Sequence, residues 1–244
     1  MARTPDELLA MQVGGASVAE NLRRAVEAGG IVESADGSFE LPPHHKSANW
    51  ATVAHGPPLG CDFLMRFAFR HAYGSGAVPN GCSLCFKVKV SLRTVRELVA
   101  AWGLGKRIVC HSKWGVDLEN RFSQDVYAGY FYVSGLDAAR ALFKVVREAL
   151  DTDPKLGSDV AITIKRGCSE YEAALGPSDK YQFTPEMAEL ETYLRSRFRS
   201  TKAVGTPPVP LAHWLETAFR IGDDTYLDFT GGRRLRAKMV TYQP

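Results

Sequence analysis

Apolar and polar positions follow their clearest pattern in the middle of the chain. Phe86-Lys-Val-Lys-Val90 alternates strictly, which predicts a strand with Phe86, Val88 and Val90 facing a core and Lys87 and Lys89 facing outward. Thr94-Val-Arg-Glu97 is a capping box, and Val95, Leu98, Val99 and Trp102 supply the apolar stripe of a helix expected to end at Gly103 and Gly105. Arg107-Ile-Val-Cys110 reads as a short second strand and Val126 to Val133 as a third. From Leu136 to Leu150, Ala138, Ala141, Leu142, Val145, Val146 and Ala149 fall on one helical face, and Val160-Ala-Ile-Thr-Ile-Lys165 alternates again.

Residues 85–165 therefore give strand, helix, strand, strand, helix, strand. That order is the split βαβ, or ferredoxin-like, arrangement, in which two helices back a four-stranded antiparallel sheet. The connection at 111–125 is longer than a tight hairpin and is a place for the outer part of a site. The expected α+β protein has three parts: a helical, loop-rich segment with cysteine ligands (1–84), the ferredoxin-like core (85–183), and basic C-terminal helices with a hairpin (184–244).

The flanks are less regular. Ser17-Val-Ala-Glu20 opens an amphipathic helix that Gly29-Gly30 stops, Ile31-Val-Glu33 is a candidate strand, and residues 41–60 read as loop. His44 and His45 lie there without an HExxH-like context, so they read as exposed rather than ligating. Cys61 to Tyr73 reads as a mostly buried helix with Arg66, Arg70 and His71 outward. Thr184-Pro185 starts a helix that ends in Arg195-Ser-Arg-Phe-Arg, Gly205-Thr-Pro-Pro-Val-Pro is a stiff linker, and a short helix through Leu211 and Trp214 follows. Residues 225–229 and 233–241 flank Thr-Gly-Gly as the two strands of a hairpin.

Composition excludes some classes. An apolar content of 45% with a net charge of only +3 is incompatible with a disordered chain. No uncharged apolar run approaches the roughly 18–20 residues that span a bilayer, so no membrane partner is expected. The start Met-Ala-Arg-Thr-Pro-Asp-Glu lacks the basic and apolar regions of a signal peptide, and the expected location is cytoplasmic. Charge is uneven: from Arg195 onward there are nine basic and four acidic residues. Arg195, Arg197, Arg199, Arg234, Arg236 and Lys238 would suit a polyanion, although a solvated basic face accounts for them equally.

Five cysteines form an odd set in a chain read as cytoplasmic, which disfavours disulfides. Cys82 and Cys85 follow the turn Val78-Pro-Asn-Gly and can present both sulfurs to one ion. They precede a strand instead of opening a helix, so a thioredoxin-like dithiol is disfavoured. With Cys61 and Cys110 they make an irregular four-thiol set compatible with zinc or an iron–sulfur cluster; the competing reading is ordinary buried thiols. Cys168, between two cations and near Glu170 and Glu172, could be a nucleophile or an extra ligand, but strand-end packing explains it as well.

The third strand, Ala128-Gly-Tyr-Phe-Tyr-Val-Ser-Gly135, resembles a degenerate version of the base-stacking strand of RNA-recognition domains over eight residues. It keeps the glycine, two alternate aromatics and the valine, and it lacks the leading base and the last aromatic. The resemblance implies stacking on Tyr130 and Tyr132 with Lys87 and Lys89 beside them; the alternative packs both tyrosines under a helix. Walker, dinucleotide and GxSxG signatures are absent from the sequence. The expected function is a zinc-braced, RNA- or single-stranded-DNA-binding subunit of a ribonucleoprotein or processing complex, with possible protein partners. The alternative is an iron–sulfur or metal-dependent enzyme built on the cysteines.

Overall fold

A computed structural model describes residues 3–43, 47–55, 59–118, 125–200, 209–235 and 242. It is a mixed α+β structure. The N-terminal part begins with α1 (Pro5–Leu9), a short antiparallel pair β1 (Gln12–Val13) and β2 (Ala16–Ser17), and α2 (Val18–Glu27). Ser17 caps α2 by accepting a hydrogen bond from the Glu20 amide, as the capping pattern predicts. A second small pair, β3 (Val32–Glu33) and β4 (Phe39–Glu40), precedes β5 (Trp50–Val53) and a π-helix, Asp62–Ala72. The π-helix buries Phe63, Phe67 and Phe69 and half-buries His71 and Arg66.

The largest sheet is built from β5, β6 (Cys85–Leu92), β7 (Ser112–Val116), β8 (Tyr127–Ser134) and β9 (Ala161–Arg166), in the order β5-β7-β8-β6-β9, antiparallel throughout. It therefore has five strands where four were expected. The addition comes from the stretch 41–60 read as loop, because β5 has only four residues and no clean alternation. Helices α3 (Val95–Arg107) and α4 (Leu136–Asp151) pack on one face. After β9 come α5 (Ser169–Leu175), α6 (Pro185–Arg197), β10 (Phe198–Arg199) and α7 (Pro210–Ile221).

Three expectations are corrected. Gly103 and Gly105 do not end α3, which runs on to Arg107; the second strand is Ser112–Val116 and not 107–110. The reason is Trp114, fully buried, whose ring lies where any side chain on Gly105 or Gly129 would have to go. It stands edge-on to Phe131 at 5.2 Å and donates its indole N–H to Ser112 Oγ at 2.9 Å. Small residues here make room for a large one. Third, residues 225–229 are not a hairpin strand: Asp224–Phe229 is a 3₁₀ turn, and positions 236–241 lie outside the described residues. Asp223, at its start, accepts from the Val95 amide (2.7 Å) and the Tyr127 hydroxyl (2.9 Å), so this turn serves the N-terminus of α3.

Two apolar cores result, one on each side of the sheet. The first joins α2, the π-helix and α6, with Tyr171 of α5; the second joins the inner sheet face with α3, α4 and α7. The basic C-terminal segment is thus divided, α6 entering the first core and α7, through Trp214 and Ala218, the second. No helix among the described residues is long and apolar enough to cross a membrane. Replacing Gly129 by valine is expected to lower unfolding stability by about 2 kcal/mol or more, because the Trp114 ring has no space to retreat into; urea unfolding measures it.

Candidate functional site

Strand alternation puts the inner-face residues Val88, Val90 and Phe131 in the second core, and the same alternation turns Cys85, Lys87, Lys89, Lys113, Tyr130, Tyr132 and Lys165 to the other face. Across that face Lys87 stands between Tyr132 and Lys165, and Tyr130 between Lys89 and Lys113. The sequence reading leaves this face to solvent. In the structure the π-helix, α5 and α6 lie beside it and form with it an open-mouthed cavity of about 1100 Å³. Trp50, Lys87, Lys113, Tyr130, Tyr132 and Lys165 line it from the sheet, and Cys61, Phe63, Met65, Ser169 and Arg195 from the covering layer.

Lys87 is only 6% exposed. Its ammonium donates to Cys168 Sγ at 3.2 Å and lies 5.2 Å and 5.9 Å from the ring centres of Tyr132 and Tyr130. Burial works against its charge, but Cys168 and then Tyr132 and Cys85 outweigh it and hold its pKa above the ordinary lysine value. Lys113 shifts the other way. Burial, and next the charge of Lys87, lower its pKa. It lies 4.1 Å from the Trp50 ring centre and 5.4 Å from that of Tyr130, with no hydrogen-bond or ion-pair partner among the described residues. Lys165 is held by Ser169 Oγ at 3.0 Å and by the Glu172 carboxylate. Burial raises the Tyr130 pKa to about 12, so its hydroxyl keeps its proton. His111, edge-on to Tyr132, has its pKa lowered by burial and by His55, and its Nδ1 is buried with no partner among the described residues.

A second, smaller cavity of about 220 Å³ adjoins the first, and Leu59, Cys61, Met65, Lys87, Tyr132 and Cys168 line both. Cys82 and Cys85 line the smaller one with Cys61 and Cys168. The turn carrying Cys82 is fixed by Glu191 of α6, whose carboxylate accepts from the amides of Asn80 and Gly81 (2.9 Å to the latter) and from the Tyr73 hydroxyl at 3.1 Å. The Cys82 thiol shares a hydrogen bond of 3.3 Å with the Tyr171 hydroxyl.

The structure thus gathers three of the four expected ligands, Cys61, Cys82 and Cys85, and brings Cys168 to them. Cys110 lines neither cavity; its thiol donates to the Tyr132 carbonyl at 3.3 Å. Among the described residues, no group of three or more His, Cys, Asp or Glu side chains is arranged to hold a metal ion. Tyr130 and Tyr132 lie beneath the covering layer and form no open stacking platform. Lys89 is paired with Asp125 at 2.5 Å. Arg197 donates to the Gly37 carbonyl at 2.7 Å and Arg199 pairs with Asp36, so both fasten α6 and β10 to the turn before β4. Arg195 faces the large cavity and lies 4.1 Å from the Phe63 ring centre. Arg234 is exposed, while Arg236, Lys238, His44 and His45 lie outside the described residues.

Sequence reading weighed Lys165 only as a cation beside Cys168 and Lys113 only as part of the 111–125 connection, and it missed Trp50. The signal for Lys113 was available, since Ser112-Lys-Trp-Gly-Val116 alternates, but a strand placed at 107–110 absorbed its role. In comparisons with known proteins, the chain matches no family model, no curated protein and no solved structure. Glu191→Ala leaves two amides and a buried hydroxyl without an acceptor, and is expected to cost about 3 kcal/mol in urea unfolding while exposing Cys82 to alkylation.

Proposed function

We propose that the protein binds single-stranded RNA or DNA by taking one nucleotide, terminal or turned out of the strand, into the large cavity. The observation that carries this reading is the recessed Lys87–Lys113–Lys165 face interleaved with Tyr130, Tyr132 and Trp50. Cations and aromatic rings in one cavity match a phosphate joined to a base, since phosphate requires compensating charge and a base requires a flat apolar surface. The Lys113 ammonium has no hydrogen-bond or ion-pair partner among the described residues and lines the cavity, where it can meet an oxygen-rich ligand. Arg195 at the opposite wall would meet the phosphate backbone outside. The cavity's volume accommodates a nucleotide and not a duplex.

The order β7-β8-β6-β9, with α3 and α4 as the intervening helices, supports a ferredoxin-like core to which β5 is added at one edge. Five free thiols support a cytoplasmic setting. In this reading the chain acts as the nucleotide-holding subunit of a larger processing assembly.

Lys113→Gln is expected to weaken binding of a 5′-phosphorylated single-stranded oligonucleotide by about tenfold and to reduce the salt dependence by about one phosphate contact, as fluorescence anisotropy measures. A free nucleoside monophosphate should compete, and a blunt duplex should not. Unchanged affinity and salt slope in the variant would refute the assignment. An anion stabilises the charged form of Lys113, whose pKa burial has lowered from 10.5, so binding takes up a proton and affinity falls as pH rises through that lowered value. Calorimetry in buffers of different ionisation enthalpy reads the uptake directly.

A further inference from the structure

We propose that Cys61, Cys82, Cys85 and Cys168 hold an iron–sulfur cluster in the smaller cavity. The two readings share Lys87 at the border of both cavities, but iron and sulfide content tests this one separately from nucleotide binding.

The four thiols come from four separate places in the fold: the residue before the π-helix, the Asn80–Cys82 turn, the first residue of β6, and the residue before α5. They meet on the wall of one cavity of about 220 Å³. Protein interiors are close-packed, and a recess of this size beside the core, several times the ~30 Å³ share of one water, has room for more than solvent. It is on the scale of an inorganic core of several atoms.

The spacing of the donors separates a cluster from a single ion. No three His, Cys, Asp or Glu side chains among the described residues are arranged around one ion, which disfavours the expected mononuclear zinc. In a cluster the thiolates bind different iron atoms, so four thiols on one wall need not converge on a single point. Cys168 then takes the place that sequence spacing gave to Cys110, whose thiol is engaged with the backbone of β8.

Charge makes the same point independently. Lys87 is 6% exposed, and its one hydrogen-bond partner among the described residues is Cys168 Sγ at 3.2 Å. A buried ammonium requires nearby negative charge. A cluster ligated by four thiolates is anionic and supplies it, and the N–H···S contact is of the kind that tunes such clusters.

The full chain purified without oxygen is expected to be brown and to contain iron and acid-labile sulfide in equal amounts, about two or about four of each per chain. Cys168→Ala should lose most of both, and Cys110→Ala should retain them. Lys87→Gln should keep the cluster and lower its reduction potential, an effect that loss of folding alone does not produce. The proposal is overturned by a chain that binds zinc instead, or that takes up no iron and sulfide even after anaerobic reconstitution. It is equally overturned if Cys110→Ala loses the cluster while Cys168→Ala keeps it.

Discussion

A lysine ammonium withdrawn from water at the middle of a sheet dictates what can surround it. Lys87 has the strand position of an ordinary solvent-facing residue, yet the π-helix, α5 and α6 close over it. Its neighbours answer with what attracts a cation: the faces of two tyrosines and a sulfur atom. The larger cavity and the smaller one both open beside this group, and Lys87 borders each.

The covering layer is held in place by polar ties where apolar packing alone would let it slide. Glu191 fastens α6 to the turn at Asn80–Cys82 and to Tyr73 at the end of the π-helix. Arg197 and Arg199 fasten the other end of α6 to the turn before β4, and β10 pairs in parallel with β4 itself. These contacts join sequence-distant segments, and they fix the positions of Cys82 and Arg195 at the cavity rims. Basic residues that look like a polyanion surface in the sequence are therefore partly structural rivets.

The inner half of the fold was legible because one-sided burial writes itself into alternation: Phe86 to Val90, Val126 to Val133 and Val160 to Lys165 all mark strands that the structure contains. The outer half was not. Lys87, Lys113 and Lys165 are polar residues on a covered face, and alternation cannot distinguish a polar face that meets water from one that meets a cavity. Gly103 and Gly105 read as helix stops because glycine lacks helix propensity, whereas close approach of the Trp114 ring is what Gly105 permits. The gathering of Cys61, Cys82 and Cys85 follows from short spacing and an adjacent helix. Cys168 was weighed as an extra ligand, but only the register of β9 against β6, which sets Lys165 beside Lys87, fixes where it lands.

The parallel pairing of β10 with β4 has a consequence for the order in which the molecule is made. The first core needs Met187, Leu190 and Leu194, and Phe198 packs against Phe63 and Phe67 at 5.5 Å and 5.0 Å. A chain leaving the ribosome has all five strands of the large sheet available before α6 exists. The π-helix and α5 are by then also made, so what the nascent chain lacks is the last wall of the first core, and that wall is supplied by residues 185–199.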